Sequence, residues 1–202
     1  MKTATLTILL AAMCATARAA APAPGKQAVT AALNRYLAQS GKLCVGKFAW
    51  PIDVSDHDRE AGSRDALQLP VLEKLGLVAA SNDDPAITRY TLTAAGKRFY
   101  LPRKIVTMDA AGKRHENTHD FCAGQLKLDK VVRWTPPAMA GEYRETTATY
   151  TYTIAPAAWT RDPQAQQVFP MVDRVIKGQR QMQLTQRLRL VNQRWEAVPL
   201  AE

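Results

Sequence analysis

Apolar side chains recur at helical spacing in the first third of this chain and at strand spacing through most of its second half. From Gly25 to Ser40, Val29, Leu33 and Leu37 return every four residues beside Ala32 and Tyr36, and Gly41 supplies a stop, which predicts an amphipathic helix. Leu43 to Ile52 is richer in strand formers, with Val45, Phe48 and Trp50 ahead of Pro51, and polar Asp53 to Gly62 reads as a loop. A second helix starts at Ser63 and runs through Ala66, Leu67, Leu69, Val71, Leu72 and Leu75 to Gly76, bent or interrupted at Pro70.

From Lys104 onward the period changes to two. Ile105 and Val106 lead into a turn at Asp109 to Gly112, and Val131, Val132 and Trp134 precede a break at Pro136-Pro137. Thr146 to Ile154 alternates strictly, placing Ala148, Tyr150, Tyr152 and Ile154 on one face and Thr147, Thr149, Thr151 and Thr153 on the other, which should be open to solvent. Asp162 then offers an N-cap with Pro163 at the first helical position. Val168, Met171, Val172, Val175 and Ile176 give that helix an apolar face up to Gly178, kinked near Pro170. Met182, Leu184, Leu188 and Leu190 mark an inward-facing strand, and Asn192-Gln193 turns it into a last strand with Trp195 and Ala197.

The segment LPVLEKLGLV, followed by the polar turn SNDDPAI and by RYTLTAAGKRFY, resembles the recognition-helix-and-wing half of winged-helix domains such as MarR-like and PadR-like regulators. Tyr90, Leu92, Thr93 and Gly96 stand where the family carries its Y-x-L-T-x-x-G run, and the likeness covers residues 69–100. It implies a helix ending at Gly76, a hairpin tipped by Asp83, Asp84 and Pro85, and a helix capped by Thr93. In the family, DNA is met by a wing arginine and by the recognition helix, which would be Arg89 and the neighbourhood of Lys74. Gln68, Glu73 and Lys74 give this helix a thin basic surface for phosphate contact. The shape therefore reads as one reused for packing or protein contact, and nucleic acid is not the expected partner.

The amino terminus changes the setting. Lys2, the apolar run Leu6 to Cys14 and the small-residue close Ala17-Arg18-Ala19 describe an export signal over residues 1–20. Met13 before Cys14 argues against a lipid anchor, and no later segment reaches the roughly 20 apolar residues that a membrane span requires. Cleavage after Ala19 removes Lys2 and Arg18 and no acid, leaving 25 basic residues against 18 acidic ones, a charge of +7. In the periplasm such a charge favours polyanionic envelope components. The basic residues are nevertheless spread along the chain, as they are in many soluble proteins. Cys44 and Cys122 remain, and in an oxidising compartment they are expected to form a disulfide closing a 78-residue loop.

Candidate chemistry is sparse. His115, Glu116, His119, Asp120 and Cys122 are metal-type ligands, but on a strand the two histidines stand roughly 13 Å apart, and the H-E-x-x-H order is missing. Asp53, Asp56, His57, Asp58 and Glu60 form an acidic run without the glycine and ligand spacing of a calcium loop. No nucleophile elbow or phosphate-cradling glycine motif is present, so no metal or cofactor is implied. Arg187 and Arg189 fall on the outer face of their strand with Gln183 and Thr185, and beside the threonine face they would form a basic platform, the binding surface expected here.

These readings predict an α+β protein. Its parts are the signal peptide 1–20, a helical, winged-helix-like part 21–101, and an antiparallel sheet with a packed helix over 102–202. The expected function is non-catalytic binding of a protein or cell-envelope component in the periplasm. An envelope hydrolase using the histidine and acidic residues, and an extracytoplasmic nucleic-acid binder, stand as alternatives.

Overall fold

A computed structural model describes residues 23–109 and 111–198. The segment 1–20, expected to be an export signal, lies with Cys14 outside the described residues. The fold is α+β with antiparallel sheets. Helix α1 (Lys26–Ser40) follows Gly25 and turns Val29, Ala32, Leu33 and Leu37 inward. The expected strand from Leu43 to Ile52 is instead two short strands in different sheets, β1 (Lys42–Cys44) and β2 (Ile52–Ser55). Gly46 at φ 77° turns the chain between them. The expected loop after Asp53 also orders itself. Asp53 belongs to β2, and Ser55 and Asp58 form a reciprocal capping box that starts α2 (Asp56–Glu60).

Helix α3 (Arg64–Lys74) is capped by Ser63 and runs through Pro70 without interruption, with Leu69 and Leu72 both fully buried. Gly76 at φ 70° ends it, with Leu77 N–H bonded to Leu72 O and Gly76 N–H to Glu73 O, a Schellman closure. Strands β3 (Val78–Asp84) and β4 (Ile87–Leu92) form a hairpin, and β2 joins β4 to complete a three-stranded sheet in the order β2-β4-β3. Thr93 caps α4 (Ala94–Lys97). Gly96 lies against the chain after α3, where an added Cβ would sit 1.9 Å from Leu77 O.

The larger sheet is organised by β6 (Arg114–Trp134), a 21-residue strand that serves three partners in turn. Its first part pairs with β5 (Tyr100–Met108), its middle with β1, and its second half with β8 (Tyr143–Pro156). Short β7 (Ala138–Ala140) pairs the start of β8. After a 3-10 turn at Ala158–Arg161, α5 (Pro163–Val168) and α6 (Pro170–Lys177) replace the single kinked helix, broken at buried Phe169 because Pro170 has no N–H to continue it. Met182 precedes the next strand, which begins at Leu184 as β9 (Leu184–Val191). Asn192 and Gln193, at φ 46° and 63°, turn it into β10 (Arg194–Ala197).

Two cores result, and each draws on distant parts of the chain. In one, α1 lies against the inner face of β6, β8, β9 and β10, with Leu33, Ala148, Tyr150, Leu188 and Trp195 in contact. In the other, Leu69, Leu72, Val78 and Tyr90 meet Phe121, Trp159, Phe169 and Val172. The ring of Phe121 stands 5.8 to 6.3 Å from those of Trp50, Phe99 and Trp159. Cys44 and Cys122, directly opposed on β1 and β6, form the expected disulfide. Among the described residues no helix is long and apolar enough to cross a membrane.

Candidate functional site

The expected platform is assembled only in part. Strands β8 and β9 are neighbours, with Thr147 opposite Arg187 and Thr149 opposite Thr185, while β6 adds Lys127, Lys130 and Arg133 opposite Thr153, Thr151 and Thr149. Directly opposed residues share a face, so these cations surround the threonine row. The row itself is not the open ladder expected from alternation. Thr149 and Thr151 keep only 5% and 2% of their surface, because β8 is interior to the sheet and longer side chains flank it, and Thr151 donates to Asp129 at 2.7 Å. The two arginines also differ. Arg189 is held by Glu145 at 2.7 Å and lies 4.0 Å over the Tyr143 ring, whereas Arg187 is 60% exposed and 3.6 Å from the same carboxylate.

The other candidate groups are dispersed among separate jobs. His115 contacts Asp109 at 2.8 Å, Cys122 is in the disulfide, and Asp120 is fully buried. In the acidic run, Asp53 takes a bidentate pair from Arg89 at 2.7 Å, Asp56 pairs with Arg59, and Asp58 accepts from Ser55. The Arg89 bond holds the Asp53 carboxyl below its ordinary range, and the Ser55 hydroxyl does the same for Asp58. Lys74 donates to Gln164 at 2.6 Å, so both residues matched to the DNA contacts of winged helices are engaged within the chain.

The strongest site is one that periodicity does not reveal. A cleft of about 1070 Å³ opens between α1, β1, the β5–β6 hairpin and β10. Five cationic side chains line it: Arg35 from α1, Lys42 from β1, Arg103 and Lys104 from β5, and Arg194 from β10. Among the described residues Glu196 is the sole carboxylate in that lining, and His119 and Tyr36 supply its two rings.

Each wall is fixed from behind. Arg35 donates to Trp195 O at 2.8 Å, joining α1 to β10, and Lys42 donates to Pro102 O at 2.5 Å, joining β1 to β5. Arg103 is anchored at 2.6 Å by the buried Asp120 carboxylate. The other oxygen of Asp120 accepts from Gly46 N–H at 3.0 Å and Lys47 N–H at 2.9 Å, the turn that follows the disulfide cysteine. Lys47 itself is buried against Asp65, and burial lowers its ammonium pKa below the ordinary lysine range. His119 stacks on Tyr100 with centroids 5.1 Å apart and 27° between planes, and the Tyr100 hydroxyl is bonded to Phe48 O. Lys104 and Arg194 make no ion pair among the described residues and point their charge into solvent at the cleft.

A concave surface lined by one sign of charge concentrates oppositely charged solutes. No sequence signal could have collected these residues, because they come from five elements, two of which, α1 and β10, the Arg35 to Trp195 bond joins across 160 positions. No family model, curated protein or solved structure matches the chain, so the chemistry of the cleft carries the functional reading.

Proposed function

We propose that the chain is an exported, periplasmic, non-catalytic module that binds an anionic component of the cell envelope in this cleft. The observation that carries the reading is five cationic side chains against one carboxylate in a cavity large enough to enclose part of a polymer. The basic excess of the whole chain supports it by raising encounter rates with polyanions. The winged-helix-like arrangement of residues 69–100 belongs to the same proposal as a packing unit. With Arg89 and Lys74 engaged internally, that unit offers little to a phosphate backbone. The exposed cations Lys127, Lys130, Arg133 and Arg187 on the sheet form a second, flatter surface that would add to long-range attraction.

The test is a fluorescence-anisotropy titration with lipopolysaccharide and with long-chain polyphosphate at several salt concentrations. Binding should weaken as salt rises, and Lys104→Glu/Arg194→Glu should weaken it at least tenfold. Lys130→Glu/Arg187→Glu makes the same charge change on the sheet and should cost much less. Equal losses in both double variants would mean that net charge, not the cleft, does the binding, and would overturn the proposal.

A further inference from the structure

The lining of the cleft says more than that its ligand is anionic. Cations stand on both walls, Lys104 on the hairpin and Arg194 on β10, so the charge they meet is spread along a ligand and not held at one point. The same lining holds groups that a bare chain of phosphates does not need. Gln39 and Thr118 offer neutral donors and acceptors, and Glu196 offers a carboxylate that repels an oxyanion but accepts a hydrogen bond from a hydroxyl. His119 adds a flat ring with Tyr100 backing it at 5.1 Å, and that ring lines the cavity. A stacked, braced ring is a surface for an apolar face, and the C–H-rich face of a pyranose is one. The volume, about 1070 Å³, lies just above the roughly 300–1,000 Å³ typical of single-ligand pockets and leaves room for more than one ring.

We infer that the cleft binds an acidic oligosaccharide: a short chain of sugar rings carrying carboxylates or phosphates, its oxyanions on the Lys104 and Arg194 walls, its hydroxyls on Glu196 and Thr118, and one ring against His119. The inference rests on the reading of the cleft as an anion site and goes beyond it by naming the chemistry between the charges.

The experiment is calorimetric titration of the full mature chain with four probes: tetragalacturonate, a phosphorylated tetraose, neutral maltotetraose, and tripolyphosphate as an anion without sugar. At least one acidic tetraose should bind at least tenfold tighter than maltotetraose and than tripolyphosphate, and which of the two wins identifies the oxyanion. His119→Ala should weaken the acidic tetraose at least fivefold and leave tripolyphosphate unchanged, while His119→Phe, which keeps a flat ring, should stay within about twofold of the wild type. Glu196→Gln should tighten tripolyphosphate and not the tetraose. Tripolyphosphate binding as tightly as the tetraoses, or tetraose binding indifferent to His119→Ala, overturns the saccharide inference while leaving an anion cleft in place. If none of the three anions binds, the anion reading falls with it.

Discussion

Replacing Asp120 should separate the structural anchor of the cleft from the charge it presents. The side chain is fully buried, and its two oxygens divide their work: one accepts from Gly46 N–H at 3.0 Å and Lys47 N–H at 2.9 Å, the other from Arg103 at 2.6 Å. Asp120→Asn can keep the first oxygen in place but puts an NH2 group against the guanidinium, so it loses a charge-assisted bond, about 2 kcal/mol. Asp120→Ala also orphans the two backbone donors. Lys47 is buried and its N–H would forfeit about 1–3 kcal/mol, while exposed Gly46 can turn to water at smaller cost. The alanine variant should therefore lose about 4 kcal/mol, within the range for breaking a buried pair. Urea unfolding with the disulfide intact is the assay, since every variant then shares the same constraint on its unfolded chain. In a cycle with Arg103→Met, the Asn and Met changes should be strongly non-additive, because each removes the same bond. A loss below about 1 kcal/mol for Asp120→Ala would refute the reasoning, since a buried carboxylate with three donors cannot be removed that cheaply if the donors depend on it.

Three further outcomes follow from the geometry. Cys44→Ala/Cys122→Ala opens a 78-residue loop and should cost about 4 kcal/mol by the chain-entropy treatment, read as a fall in the urea midpoint that reduction of the wild type reproduces. Gly96→Ala drives a methyl to 1.9 Å from Leu77 O, a backbone atom that cannot swing aside, and should cost at least about 3 kcal/mol; thermal unfolding unchanged from wild type would contradict the close approach. Burial pushes the Tyr150 hydroxyl up to about 12 and raises Tyr90, Tyr100 and Tyr152 above their ordinary value. The neutral phenols are favoured in the folded chain, so their contribution is full below about pH 10, the unfolded tyrosine value, and is lost as the pH rises through each raised value, which for Tyr150 is about 12. A phenolate-absorbance titration of the native protein should show these rings lagging the unfolded chain, and coincident curves would count against their burial.

Periodicity made the elements legible where one face of each meets a core. The every-fourth-residue recurrence of Val29, Leu33 and Leu37 and the alternation of Ala148, Tyr150 and Tyr152 both report burial directly, and all six side chains are buried. Punctuation was equally readable where a residue has one strong physical use. Gly76 and Thr93 end and begin helices, Asn192-Gln193 makes a hairpin with positive φ, and Cys44 and Cys122 pair. Alternation sorts residues onto faces but says nothing of what lies over a face. Alternation alone therefore puts Thr149 and Thr151 in solvent, although an interior strand hides them between the side chains of its neighbours. The same limit applies to Asp120, whose neighbours Phe121, Cys122 and Ala123 are buried on both faces of β6 because that part of the strand passes through the interior.

The cleft marks where local reading ends for a physical reason. Sequence patterns record the interactions of a residue with its own helix or strand, while the cleft exists because β6 is long enough to hold β5 at one end and β8 at the other. Helix α1, from the start of the described chain, then crosses to β10 at its end. Arg35, Lys42, Lys104 and Arg194 are unremarkable surface cations taken one at a time, and surface cations at random separations weaken no element and favour no register. Arg35 and Lys42 each tie two elements together through a backbone carbonyl, whereas Lys104 and Arg194 make no ion pair among the described residues, and like charges brought together along one concavity repel. Charge complementarity to a ligand would offset that repulsion, which is why binding and stability should move in opposite directions here. Lys104→Glu/Arg194→Glu, expected to abolish most anion binding, should leave the unfolding midpoint unchanged or raise it.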